Sequence, residues 1–118
     1  TAPTTDDQRL PTVVEHASGF VYYVSVTGIT GTKSASTQDI ENALERLRRH
    51  TDLPIAVGFG IKTPEQAAAI GQHAEAVVVG SAFVNKLAEN LNPDGSAQDS
   101  CVEAVLELVR DISGGLTA

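Results

Sequence analysis

Residues 54–81 contain the feature that most restricts how this chain can fold. Two short apolar runs, residues 55–57 and 76–79, are each followed by a glycine and flank one alanine-rich helical segment. This order and length are typical of a strand–helix–strand unit whose strands pair in parallel. The runs are rich in β-branched residues and lack polar alternation, which predicts strands buried on both faces. The sequence therefore predicts an α/β fold with a parallel sheet.

A third strand and several helices extend this unit along the chain. Residues 20–26 are aromatic and β-branched and predict a strand, and the glycine- and hydroxyl-rich residues 27–36 predict a loop. Three helices are expected over residues 11–17, 82–90 and 99–113. A further helix is expected to begin after a cap at Ser36 or Thr37. Another is expected to begin after a cap at Thr63, with Pro64 at the first helical position and the Gln66 side chain reaching back to the cap. Gly114 and Gly115 are expected to end the last helix.

The length and charge of the chain limit its class. Its 118 residues can bury a core, but a complete (βα)8 barrel needs roughly 200 residues or more. The net charge of −7 argues against nucleic acid or an anionic membrane as the main partner. No apolar run approaches the roughly 20 residues of a membrane helix, and the single cysteine excludes an intrachain disulfide. We expect one structural unit over residues 1–118 of a cytoplasmic protein.

Glycines stand at or beyond the predicted carboxyl ends of all three strands. Gly31 lies beyond the first strand, Gly60 ends the second, and Gly80 with Ser81 ends the third and opens a helix. Parallel strands place their carboxyl ends on one side, where backbone amides can converge on one anion, and a helix start attracts phosphate. Any one of these glycines taken alone is better explained as a turn. The pattern over all three strand ends favours a phosphate site.

The predicted strands also carry aromatic residues, among them Tyr22 and Phe59. Tyr22 shares a strand face with Phe20 and Val24, whereas Tyr23 lies on the other face, so either set can line a barrel interior. Tyr22 is then either a core residue or a wall for a flat aromatic substrate, and spacing leaves both open. General acid–base catalysis needs a carboxylate or histidine in the site. The sequence places neither there, because the candidate carboxylates and the histidines lie near predicted helix ends, where capping and the helix dipole explain them.

Three motifs make the chain resemble a known family. Residues 20–31 read FVYYVSVTGITG, residues 57–61 read VGFGI, and residues 79–84 read VGSAFV. Together they resemble the C-terminal part of the tryptophan synthase alpha chain, from the end of that family's fifth strand through its eighth helix. The resemblance covers essentially all 118 residues. It implies the C-terminal portion of a (βα)8 TIM barrel, with three parallel strands and covering helices.

The resemblance also implies a reaction and a binding site. The family is a lyase of tryptophan biosynthesis that cleaves indole-3-glycerol phosphate into indole and glyceraldehyde 3-phosphate. The substrate phosphate would be held by Gly31, Gly60, Gly80 and Ser81. Tyr22 and Phe59 would line the indole pocket, and Thr30 would belong to a mobile loop that closes on the substrate. Phe20 stands where the family often has a tyrosine. The partner, the tryptophan synthase beta chain, carries the pyridoxal phosphate, so no cofactor is expected here.

The family's two catalytic carboxylates lie on its second strand and the loop beyond it, a region with no counterpart in this chain. The chain would supply the phosphate-binding half, with no catalytic residue and no metal, and is expected to be inactive until the N-terminal half completes the barrel. Two alternatives stay open. One is a non-catalytic phosphate-binding half-barrel that self-associates through its open sheet edges. The other is a different phosphate-binding barrel enzyme.

Overall fold

Short runs of β-branched and aromatic residues form a three-stranded parallel sheet. Its strands are β1 (Val21–Val24), β2 (Ile55–Gly58) and β3 (Ala76–Val78). The strand β2 lies between the other two. Val24 pairs with Gly58, and Gly58 pairs with Val78, so the three carboxyl ends lie at one level of the sheet. The predicted parallel strands are confirmed.

The computed structural model describes residues 1–25, 37–58 and 60–117. Its helices are α1 (Leu10–Val14), α2 (Thr37–Arg48), α3 (Pro64–Gly71), α4 (Ser81–Glu89) and α5 (Cys101–Thr117). The predicted start of α3 at Pro64 is confirmed. The helix α2 begins at Thr37, and Ser36, the other predicted capping residue, lies outside the described residues. None of the helices in this part of the chain has the length and apolar composition needed to cross a membrane.

The chain divides into two compact units. The first comprises Thr1–Phe59 and Ala69–Val78, and the second comprises Gly60–Ala68 and Val79–Ala118. The first unit holds the sheet with α1 and α2, and the second holds α4 and α5 with the first residues of α3. The expectation of a single structural unit over residues 1–118 stays a prediction.

The helix α2 supplies a large part of the core of the first unit. Its apolar residues recur at helical spacing and are buried: Ile40, Ala43, Leu44 and Leu47. Ile55 and Val57 of β2 are fully buried as well. An acidic residue in the first turn of α2 and arginines in its last turn suit the helix dipole. The amphipathic sequence of α2 thus explains both its helical conformation and its place in the core.

Burial of the sheet differs from the prediction. Only β2 is buried on both faces, from Ile55 to Val57. In β1 burial alternates, with Tyr22 and Val24 exposed, and in β3 Ala76 and Val78 are exposed. The prediction of strands buried on both faces, made for β2 and β3, is wrong for β3, because within the described residues no second layer covers one side of this strand.

The first residue of the chain pairs with the outer edge of β1. The Thr1 amino group donates to the Tyr22 carbonyl at 2.8 Å, and the Val24 N–H donates to the Thr1 carbonyl at 2.9 Å. Two bonds from one residue to positions 22 and 24 form the pattern of a parallel ladder. This pairing agrees with the end of a further parallel strand, as the family resemblance implies.

In the second unit, α5 does not end at Gly114 and Gly115 as predicted. The helix continues through both glycines to Thr117. Neither glycine has a positive φ, so neither adopts the left-handed conformation by which glycine ends a helix. A Cβ at position 115 would overlap the carbonyl of Pro64, whereas a Cβ at position 114 would meet no atom within 4 Å. Close packing therefore explains Gly115.

A carboxylate joins β2 to the residue before β3. Glu75 accepts the Ile55 N–H at 2.9 Å, while its own N–H donates to the Ile55 carbonyl at 3.2 Å. Arg48, the last residue of α2, donates to the same carboxylate at 3.0 Å and to the His73 carbonyl at 2.7 Å. The bond from the Ile55 amide, assisted by Arg48, outweighs burial and lowers the pKa of Glu75. One side chain thus ties α2, β2 and the start of β3 together.

Glu75→Ala is expected to lower the free energy of unfolding by about 1–2 kcal/mol, because the Ile55 N–H loses its carboxylate acceptor beside a buried strand. Glu75→Gln is the matched control, since it keeps an acceptor oxygen but loses the charge that attracts Arg48. The pKa of Glu75 is lowered in the folded state. Its stabilising contribution is therefore present above the ordinary carboxyl pKa and is lost as pH falls through the lowered value.

Urea unfolding at a series of pH values between about 7 and 3 measures this contribution. The unaltered chain and Glu75→Gln should differ at neutral pH and converge in acid. A difference that stays constant over this range would contradict the role of the Glu75 charge.

Candidate functional site

Tyr22 lies on the uncovered face of β1. Its neighbour Tyr23 points to the opposite side, where it is buried; burial raises the pKa of Tyr23, and the nearby Arg46 of α2 opposes that rise. Tyr22 is 41% exposed, and Phe20 and Val24 are exposed beside it. The sequence left open which of the two sets faces outward from the helices. The structure places Tyr23 on the side of α2 and leaves Tyr22 on the open side.

Gly58 lies beneath the ring of Tyr22. A Cβ at position 58 would overlap the Tyr22 hydroxyl and come within 2.9 Å of its Cζ. Ser25, directly after β1, donates its N–H at 3.0 Å and its Oγ at 2.7 Å to the Gly58 carbonyl. Position 58 is thus held by its carbonyl and leaves room for the tyrosine ring. The sequence did not indicate this contact of Gly58, although a glycine inside a strand pattern often marks close approach of another group.

Gly60 lies two residues beyond the end of β2 and has a φ of +69°. A Cβ here would meet no atom within 4 Å, so backbone conformation rather than lack of space requires glycine. Gly60 is exposed, whereas Ile61, which follows it, is buried. The chain therefore turns at an exposed glycine and enters the core at the next residue.

The residues after Gly60 are bonded to the first turn of α3. The Gln66 N–H donates to Thr63 Oγ1 at 3.2 Å, and the Lys62 N–H donates to Gln66 Oε1 at 2.8 Å. The predicted cap at Thr63, with Gln66 reaching back, is confirmed. These two bonds join residues 60–63 to the start of α3.

The helix α4 begins at Ser81 without a side-chain cap. Gly80 is the N-cap residue, and its carbonyl accepts the N–H groups of Phe83 at 3.0 Å and Val84 at 3.2 Å. The N–H groups of Ser81 and Ala82 precede these first helical bonds and are of the kind that a helix start leaves unpaired. Gly80 and Ser81 are both exposed. Amide N–H groups at the positive end of a helix dipole suit an anionic ligand.

The register of the sheet gives Gly60 and Gly80 equivalent places along the chain. Gly58 pairs with Val78, and each of the two glycines lies two residues beyond that pair. Gly60, Gly80 and Ser81 all belong to the second unit. The remaining predicted site residues lie outside the described residues: Gly31, Thr30 and Phe59.

The described acid–base pairs lie away from the carboxyl ends of the strands. His50 Nε2 is 3.0 Å from Asp7 Oδ1, and this hydrogen bond is the main reason that the pKa of Asp7 is lowered. His50 follows α2 on the way to the amino end of β2, so this pair lies near the opposite edge of the sheet. Within residues 1–25, 37–58 and 60–117, no group of three histidine, cysteine or acidic side chains could hold a metal ion.

Among the described residues, the first unit has two surface grooves to which none of the described site residues contributes. The larger, of 770 Å³, lies beside α1 and the residues after α2. The smaller, of 500 Å³, lies beside Tyr23, Ser25 and Arg46. Their lining residues come from separate segments of chain, which explains why no sequence motif indicated them.

Gly58→Ala is expected to lower the free energy of unfolding by about 1–3 kcal/mol, because the Tyr22 ring must move to admit a methyl group. In a Tyr22→Ala background the overlap is absent, so Gly58→Ala should cost much less there. A double-mutant cycle in urea measures the coupling between the two positions. Gly114→Ala, where a Cβ meets nothing, is the matched control. An equal cost of Gly58→Ala in both backgrounds would show that Tyr22 does not need the space.

The chain is similar in sequence to one family over nearly its whole length. Residues 1–114 match the family model described as tryptophan synthase alpha chain. A curated relative, the tryptophan synthase alpha chain of Acidiphilium cryptum (strain JF-5), is 53% identical over 115 residues. The matched segment is 98% of this chain and 42% of that relative. The chain thus spans about two fifths of the length of the relatives that it matches.

Solved structures agree with the sequence match. A tryptophan synthase structure from Mycobacterium tuberculosis has a TM-score of 0.80 at 32% identity, covering 100% of this chain and 40% of the other. The tryptophan synthase subunit alpha of Legionella pneumophila str. Paris has a TM-score of 0.79 at 29% identity, covering 99% of this chain and 40% of the other. The predicted portion of a TIM barrel is confirmed by these neighbours and by the parallel sheet. The chain belongs to the tryptophan synthase alpha chain family.

Proposed function

We propose that this chain forms the phosphate-binding part of a tryptophan synthase alpha subunit. The complete subunit acts as a lyase in tryptophan biosynthesis and cleaves indole-3-glycerol phosphate into indole and glyceraldehyde 3-phosphate. Membership of the family supports the reaction. The observation that supports the role of this part is the uncapped, exposed start of α4 at Gly80 and Ser81.

In this proposal, backbone amides bind the substrate phosphate. The N–H groups of Ser81 and Ala82 precede the first helical bonds of α4, and the helix dipole adds a positive potential there. Gly60, in the same unit, contributes an exposed turn with no side chain in the way. Gly31 contributes from the segment after β1. Because amides supply a local attraction, the net charge of −7 does not exclude the binding of one phosphate.

The indole ring contacts aromatic side chains. Tyr22, on the open face of β1, offers a flat aromatic surface, and Gly58 leaves the space that its ring occupies. Phe59 adds a second wall, and Thr30 belongs to the loop that closes over bound substrate. Phe20, which is 60% exposed on the same face as Tyr22, has no hydroxyl, so position 20 provides only apolar contact.

The acid and base come from outside this chain. A retro-aldol cleavage needs a base that takes a proton from a hydroxyl group and an acid that protonates the departing indole carbon. Asp7 and Glu75 are instead bonded to His50 and Arg48 near the amino ends of the strands. As the family resemblance implies, the catalytic carboxylates lie in the N-terminal half, and the chain by itself is inactive. The beta chain, with its pyridoxal phosphate, is the partner that uses the indole, and the assembly acts in the cytoplasm.

A second function is favoured by the uncovered face of the sheet. Phe20, Tyr22, Val24 and Val78 are all exposed large apolar residues of the first unit. In the absence of the N-terminal half, copies of the chain would cover this face by self-association and form a non-catalytic phosphate-binding half-barrel. The third possibility, an enzyme with another phosphorylated substrate, is disfavoured by the family match.

A titration with glycerol 3-phosphate, followed by amide NMR, tests the phosphate site. The resonances of Gly60, Gly80 and Ser81, together with that of Gly31, should move with one saturation curve. Gly95 is an internal control, since it also has a positive φ but lies in a turn away from the strand ends in sequence. Independent curves for these amides, or movement of Gly95 alone, would contradict a common site.

Ser81→Asp should weaken glycerol 3-phosphate binding about tenfold or more, because a carboxylate at the helix start repels the phosphate. The substitution should not unfold α4, since an acidic residue in the first turn suits the dipole. Ser81→Asn is the matched neutral control and should bind within a few fold of the unaltered chain. Equal affinities of the two variants would argue against phosphate at this helix start.

The purified chain should release no indole from indole-3-glycerol phosphate. Adding a second chain that carries the family's first five strands should restore indole formation, because it supplies the acid and base and covers the open face. An indole assay with and without this second chain measures the effect, and sedimentation of the chain alone reports self-association. Indole release by the pure chain would refute the assignment of acid and base to the missing half.

A further inference from the structure

The helix α5 contacts the start of α3 at Gly115, a residue without a side chain. At Gly115 a Cβ would overlap the Pro64 carbonyl oxygen and lie 2.8 Å from the carbonyl carbon. Both residues belong to the second unit. The two backbones are therefore in direct contact without an intervening side chain. A larger residue at position 115 cannot be accommodated by a change of side-chain rotamer and would have to move a backbone.

Gly114 and Gly115, the two glycines of α5, differ in whether packing requires a residue without a side chain. Glycine inside a helix costs roughly 0.5–1 kcal/mol relative to alanine, and α5 carries two in succession. At Gly114 a Cβ would meet no atom within 4 Å, so packing does not require glycine there. At Gly115 packing does. The pair thus provides a test position and a control position on adjacent residues of one helix.

The position of Pro64 is transmitted to Gly60 through a short bonded segment. Thr63 caps α3 by accepting the Gln66 N–H, and the Gln66 side chain accepts the Lys62 N–H. Between these bonds and Gly60 lies only Ile61, which is 1% exposed and anchored in the core. A shift of Pro64 therefore moves residues 60–63 with it.

The same helix also supports the other side of the proposed phosphate site. The helix α5 also packs against α4, whose first residue is Ser81. Within the second unit, α5 thus contacts both the helix that begins after Gly60 and the helix that begins after Gly80. One rigid element spans the two backbone segments whose amides are to bind one anion.

We propose that Gly115 is a positioning residue for the phosphate site, because its contact with Pro64 sets the distance between the Gly60 turn and the start of α4. This inference rests on the proposed function, which assigns phosphate to Gly60, Gly80 and Ser81. The residue does not touch the anion. It acts through Pro64 and the capped segment that follows Gly60.

The test compares Gly115→Ala with Gly114→Ala in the 118-residue chain, with inorganic phosphate as the probe and amide NMR as the measurement. Gly115→Ala should weaken phosphate binding about tenfold or more, because small displacements of oriented groups are costly. Before phosphate is added, it should also shift the amide resonances of Gly60 and Lys62. Gly114→Ala should leave both the affinity and these resonances unchanged. Thermal unfolding of each variant shows whether a loss of phosphate binding results only from a loss of folding stability.

The outcomes separate this inference from the proposed function. If the unaltered chain and Gly115→Ala bind phosphate equally, Gly115 does not position the site, and the proposed function stands. If the unaltered chain does not bind phosphate, the proposed site is wrong and the inference falls with it. Should Gly115→Ala fail to fold, Gln66→Ala provides the second variant, because it releases Lys62 from α3 without changing α5. Unchanged phosphate affinity of Gln66→Ala would overturn the transmission from Pro64 to Gly60.

Discussion

Parallel pairing on both sides of β2 is the constraint on which the first unit depends. A strand bonded to two parallel neighbours cannot be reached by tight turns, so each connection must cross the sheet through a longer segment that holds a helix. The same pairing brings Val24, Gly58 and Val78 to one level, which determines where the chain leaves the sheet. The glycine-containing turns that follow β2 and β3 are consequences of this register.

Backbone close approach then refines the arrangement in each unit. In the first unit Gly58 admits the Tyr22 ring, and in the second Gly115 admits the Pro64 carbonyl. At Gly115 the opposing group is backbone, which cannot move far, whereas at Gly58 it is the end of the Tyr22 side chain. A polar contact also connects elements of the first unit: the Glu75 carboxylate accepts hydrogen bonds from the Ile55 amide of β2 and from Arg48 of α2.

The parts of the fold that the sequence predicted well are those with strong local signals. The stripe of Ile40, Leu44 and Leu47 and the Thr63–Pro64 capping pattern led to the correct helices, because spacing and capping are local properties. The prediction failed at Gly114 and Gly115, through which the helix continues, and glycine at position 115 is explained by its contact with Pro64, about fifty positions earlier in the chain. Burial of β3 was also mispredicted, since what covers a strand face depends on other parts of the molecule.

The sequence by itself determined the strand–helix order, the parallel sheet and the family, because periodicity, capping and motif spacing are written along the chain. It also indicated Gly60, Gly80 and Ser81 as positions for an anion. Only the tertiary structure decided that Tyr22 rather than Tyr23 faces the open side, that Gly58 makes room for it, and that Gly115 contacts Pro64. These facts depend on which atoms of distant segments meet. Spacing along a chain does not contain that information, because several arrangements of the same elements satisfy one pattern of residues.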